Sequence, residues 1–91
     1  MEITEKQDTA IDIPKSAWSL INKRFNGHYT LMKFTTNYRF CFGTLFPDDY
    51  LKWRSMITKM SEGRTAREAM IKESELLFKI GQDNYYKRYD I

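Results

Sequence analysis

The stretch Tyr29-Thr30-Leu31-Met32-Lys33-Phe34-Thr35-Thr36-Asn37-Tyr38-Arg39-Phe40-Cys41-Phe42-Gly43-Thr44-Leu45-Phe46 is rich in aromatic and threonine residues, contains no acid, and is the only part of the chain that reads as sheet. Its register matters because strand side chains alternate between faces, so a slip of one residue sends a whole set to the other side. A two-residue turn at Thr36-Asn37 would set Lys33 opposite Phe40 and divide the apolar residues between the faces. A three-residue turn at Thr35-Thr36-Asn37 pairs Phe34 with Tyr38, Met32 with Phe40 and Thr30 with Phe42. One face is then almost wholly apolar, and Asn37 tolerates the left-handed conformation that closes such a loop. The three-residue turn is therefore expected, leaving Tyr29, Leu31, Lys33, Arg39, Cys41 and Gly43 on the outer face.

Upstream, Pro14 suits the first position of a helix. Ala17, Trp18, Ile21 and Phe25 follow on one stripe, and Asn26-Gly27 supplies a left-handed stop behind Lys23 and Arg24. Downstream, Pro47-Asp48-Asp49 opens a second helix with acids at its positive end, Tyr50, Trp53, Met56, Ile57 and Met60 lie on its apolar side, and Glu62-Gly63 ends it. Thr65-Ala66-Arg67-Glu68 is a capping box that starts a third helix reaching Ile80, with Gly81 as its stop. The aromatic tail from Gln82 to Ile91 either packs back on the core or stays loose. Residues 1–11 read as a mobile acidic arm, and residues 12–91 as one domain. The fold class expected is α+β, an antiparallel hairpin packed on one face by three helices. A two-stranded sheet is marginal alone, so either Ile11–Ile13 adds a third strand or an open edge pairs with a second copy of the chain, giving a homodimer.

The net charge of +3 is small but unevenly placed: residues 1–14 carry −3, residues 15–46 carry +5 with no acid, and the remainder carries +1. One cysteine in 91 residues excludes an internal disulfide and a CxxC metal site, which points to a reducing, cytoplasmic setting. The polar start lacks a signal peptide, and no apolar run approaches the roughly twenty residues that span a membrane.

Chemistry-bearing residues are few. Glu73 falls within the apolar face of the third helix formed by Ala66, Ala69, Met70, Leu76, Leu77 and Ile80. A buried carboxylate must be paired or neutralised, so Glu73 is expected at the rim of the core, bonded to Arg39, Arg54 or a tyrosine hydroxyl. The alternative role, a general acid or base, requires a cleft and a second polar group. His28 and Cys41 form the only conceivable nucleophile pair, but a cysteine flanked by Phe40 and Phe42 reads as inert packing. Asp48 and Asp49 are explained by the helix dipole rather than by a metal. P-loop, GxGxxG, GxSxG, HExxH, zinc-ligand, RNP and GXXG patterns are all missing, so neither catalysis nor a cofactor is expected.

Two surfaces stand out. Tyr29, Leu31, Lys33 and Arg39 make the outer hairpin face basic and aromatic, and Ile71 and Phe78, seven residues apart, share a side of the third helix outside its core stripe. Together they predict a small non-catalytic protein that regulates or inhibits a macromolecular protein partner, a size class common among accessory and phage-encoded inhibitors. The alternative is nucleic-acid binding through the acid-free segment 15–46, with Lys15, Lys23, Arg24, Lys33 and Arg39 on phosphates.

Overall fold

The computed structural model describes residues 13–45 and 49–89. Within them the chain runs α1 (Lys15–Arg24), β1 (Tyr29–Lys33), β2 (Tyr38–Phe42), α2 (Tyr50–Lys59), β3 (Ser61–Gly63), α3 (Ala66–Ile80) and α4 (Gln82–Tyr89). The fold is α+β: an antiparallel sheet in the order β1-β2-β3 packed with helices. Ile11 lies outside the described residues and Ile13 is not in a strand, so the third strand comes from elsewhere, the link between α2 and α3.

Most of the helix signals act within one residue of where the sequence puts them. Pro14 precedes α1, and Asn26 (φ 55°) and Gly27 (φ 80°) turn left-handed after it, with the Gly27 N–H donating to the Ile21 carbonyl at 2.9 Å. Asp49 caps α2 by accepting the Lys52 N–H at 2.8 Å. The Thr65 hydroxyl caps α3 by accepting the Glu68 N–H at 3.1 Å, while the Glu68 carboxylate accepts the Arg64 N–H at 3.3 Å, one residue before the cap. Gly81 (φ 85°) ends α3.

Three expectations are corrected. In α1 the buried side is Ala17, Leu20 and Ile21, followed by Phe25, whereas Trp18 is 47% exposed. Trp18 is about 100° of helix rotation from Ala17, at the flank of the stripe and off its centre. Helix α2 ends at Lys59, before Glu62-Gly63, because Ser61–Gly63 leaves the helix to pair with Tyr38–Phe40. The hairpin register differs as well: Tyr29 pairs with Phe42, Thr30 with Cys41, Leu31 with Phe40, Met32 with Arg39 and Lys33 with Tyr38. The turn tip is Thr35-Thr36, closed by the Phe34 N–H donating to the Asn37 carbonyl at 2.8 Å. An apolar-in, polar-out rule could not select this register, because Phe40, Cys41 and Phe42 are all fully buried and β2 is covered on both faces.

The core gathers aromatic rings from distant segments. Phe25 stacks on Phe42 with centroids 5.0 Å apart, and Tyr85 meets both edge-on at 5.6 and 5.9 Å. Gly63 is needed where β3 meets α3: a Cβ there would stand 2.7 Å from the Ala69 nitrogen and from Glu68 Cβ. That close approach lets a three-residue strand lie against the first turns of α3.

Candidate functional site

Helix α3 carries polar chemistry inward and apolar surface outward. Its inward side buries Ala66, Ala69, Met70, Glu73, Ser74 and Leu77. Glu73 has no exposed surface at all, so it lies in the core and not at its rim. Its Oε1 accepts from the Ser61 hydroxyl at 2.5 Å and from the Ser61 N–H at 3.3 Å, and its Oε2 accepts from the Tyr85 hydroxyl at 2.5 Å. The Tyr85 oxygen in turn accepts the Phe42 N–H at 2.8 Å. The tyrosine partner was anticipated, the arginines were not involved. Arg39 instead donates to the Ile57 and Met60 carbonyls at 3.1 and 3.3 Å and meets Glu62 at 3.8 Å, while Arg54 lies over the Tyr50 ring.

Burial lifts the Glu73 carboxyl above the ordinary carboxylate range, and the hydroxyls of Ser61, Tyr85 and Tyr89 pull it back only in part. Tyr85 and Tyr89 are raised by burial first and by the neighbouring Glu73 charge second. Burial, with Glu73 again adding to it, pushes the Cys41 thiol up to about 12. These groups form a hydroxyl-rich knot around the buried Glu73 carboxyl. A general acid must reach a substrate, and Glu73 faces only protein. Cys41 is likewise sealed and protonated, and His28 is exposed, with Nδ1 in a 3.1 Å hydrogen bond with Thr44 Oγ1. No cluster of His, Cys, Asp or Glu among the described residues could hold a metal ion; Asp48 lies outside them.

The other expected site residues separate. With the observed register Tyr29, Leu31 and Lys33 share a face with Tyr38, Phe40 and Phe42, and Arg39 points to the opposite one with Thr30, Met32 and Cys41. Arg39 therefore does not complete the outer hairpin surface. Lys15 and Lys23 are about 80° apart around α1 and Arg24 lies about 180° from Lys15, so these cations splay around the helix and do not line one groove. The Arg24 carbonyl accepts from Gln82 and Tyr86, which ties that end of α1 to α4. Ile71 and Phe78 remain together on the outward side of α3, 39% and 66% exposed.

A second surface was not picked out from the sequence. Lys52, Ser55, Met56 and Lys59 of α2, spaced i, i+3, i+4 and i+7, face Lys87, Arg88 and Tyr89 of α4 across a cleft of about 290 Å³. Spacing on α2 alone could have revealed one wall. The other comes from a tail whose docking depends on tyrosine burial.

Comparison with protein-family models, curated proteins and solved structures finds no match to this chain. No helix among the described residues is long and apolar enough to cross a membrane.

Proposed function

We propose that the chain is a small non-catalytic binding protein that regulates or blocks a protein partner, docking it through the outward side of α3 at Ile71 and Phe78. The observation that carries this reading is the exposure of Phe78, 66%, on a helix whose inward side is fully packed. The aromatic tail could have covered that side. Instead it commits Tyr85 and Tyr89 to the core and leaves Phe78 in water. Burying such a ring against a partner contributes about 1.5–3 kcal/mol, and Lys72, Glu75 and Lys79 supply charges around it on the exposed side of α3. The half-buried Tyr29 and Leu31 and the exposed Lys33 offer a lesser contact on the hairpin.

The test is affinity capture from native lysate after nuclease treatment, with the intact protein and Phe78→Asp compared side by side. A stoichiometric protein retained by the first and lost by the second, with unfolding free energies within about 0.5 kcal/mol of each other, supports the reading. Equal capture by both, or loss of capture only in a variant that has also unfolded, sinks it.

A further inference from the structure

We infer that α4 is an exchangeable element: Gly81 is a hinge on which α3 and α4 open into one continuous helix, and the opened α4 fills the core of a second copy of this chain while that copy's α4 fills the first. The break between the two helices is a single residue. The Gly81 N–H still donates to the Leu77 carbonyl at 2.9 Å, and the Gly81 carbonyl still accepts the Tyr85 N–H at 2.9 Å, both with the spacing of an α-helix. The Ile80 carbonyl, which in a continuous helix accepts the Asn84 N–H, is held instead by the Asn84 side-chain amide at 2.9 Å. The turn rests on the Gly81 backbone, φ 85° and ψ 161°, a region open essentially to glycine alone. A Cβ at Gly81 would meet nothing within 4 Å, so the backbone angle and not the space is what requires glycine there.

Docking of α4 is what opposes this opening, and its bonds reach groups that a second copy also carries. The Tyr85 hydroxyl joins Glu73 to the Phe42 N–H, and the Tyr89 hydroxyl donates to the Lys59 carbonyl at 2.7 Å. The Arg88 guanidinium donates to the same carbonyl at 3.2 Å, and Gln82 and Tyr86 donate to the Arg24 carbonyl at 3.4 and 3.3 Å. A lone copy that opens forfeits these bonds and empties its core of two fully buried tyrosines. Two copies that exchange α4 regain them and give up only the freedom lost on association. The occupant of the vacated seat is thereby fixed: it must present two tyrosine rings one helical turn apart with hydroxyls at matching positions, which a second α4 does. Ile71 and Phe78 take no part, because Tyr85 meets Glu73 on the inward side of α3.

The experiment uses the full chain carrying Lys59→Cys and Arg88→Cys, two exposed positions whose residues touch across α2 and α4, joined by a short bis-maleimide. Cys41 is buried and stays out of the reaction. The link lies within one chain when α4 is at home and between two chains when it is exchanged, so denaturing electrophoresis separates the two arrangements. With the native Gly81, refolding from denaturant at low protein concentration should give the single-chain product, with a two-chain fraction that rises with the concentration of refolding. Gly81→Ala strains the turn and favours the continuous helix. It should make the two-chain product dominant and lower the dimer dissociation constant, read by sedimentation, at least ~10-fold for each of the two hinges. If Gly81→Ala does not fold, the refolding series on the native hinge decides alone. Single-chain product at every concentration, or a dimer in sedimentation whose links all lie within one chain, overturns the exchange.

Discussion

Helix α2 carries Tyr50, Leu51, Trp53, Met56 and Ile57 and buries none of its ten residues, whereas α4, in which five of eight residues are charged or amide, buries Tyr85 and Tyr89 completely. Apolar content would have ranked them the other way. The difference is that the core contains polar groups in need of partners, the Phe42 N–H, the Glu73 carboxyl and the Lys59 carbonyl, and a tyrosine can fill space with its ring while meeting them with its hydroxyl. Helix α2 lays Trp53, Met56 and Ile57 only partly buried against the core and is fastened at both ends as well: by the Asp49 cap at one, and at the other by Arg39, Arg88 and Tyr89 on the carbonyls of its last turn.

The sharpest way to break this contrast is Tyr85→Ala. It deletes the ring that touches Phe25, Phe42 and Tyr89 and orphans the Phe42 N–H, and should cost about 3–5 kcal/mol in denaturant unfolding. Next comes Gly63→Ala, which forces β3 away from α3 and should cost about 1–3 kcal/mol, measurable as a lower denaturation midpoint with an unchanged denaturant slope. Glu73→Gln should change the pH dependence of stability. The native carboxyl holds its proton above the pH at which the unfolded one, near 4.3, loses it. Its stabilising contribution is therefore complete below that pH and disappears as pH rises through the raised native value. Wild-type stability should fall across this window, by at most about 1.4 kcal/mol per pH unit, while Glu73→Gln stays flatter. The neighbours Cys41, Tyr85 and Tyr89 remain protonated there, all being raised. If the two proteins show parallel pH profiles, Glu73 is ionised in the native state. The smallest effect belongs to Leu51→Ala on α2, where 74% exposure predicts a change within about 0.5 kcal/mol. A larger loss would mean that Leu51 itself is covered in solution.

Capping and stopping residues made α1 and α3 legible, because Pro14, Asn26-Gly27, Thr65 and Gly81 act through local geometry that does not depend on the rest of the fold. The register of the hairpin was not legible. Reading it required one polar face, and the core covers β2 on both, so Phe40, Cys41 and Phe42 gave no alternation to follow. Strand β3 was hidden because Ser61-Glu62-Gly63 has no strand-forming side chain and owes its conformation to β2 on one side and α3 on the other. Glu73 stood out as a carboxylate on an apolar face, but its Ser61 partner could not be named without that strand. The outward pair Ile71 and Phe78 followed from helical periodicity alone, whereas the cationic cleft needed the tail helix to be in place.

Tyr85 also imposes an order in time. Phe42, Ser61 and Glu73 are all synthesised before the residue whose hydroxyl joins the sheet to α3. Until α4 arrives, the growing chain exposes a carboxyl that water keeps ionised and a strand amide without its partner. Completion of the core is thus deferred to the last described helix, and a chain interrupted before Tyr85 would be left with a wet, charged interior.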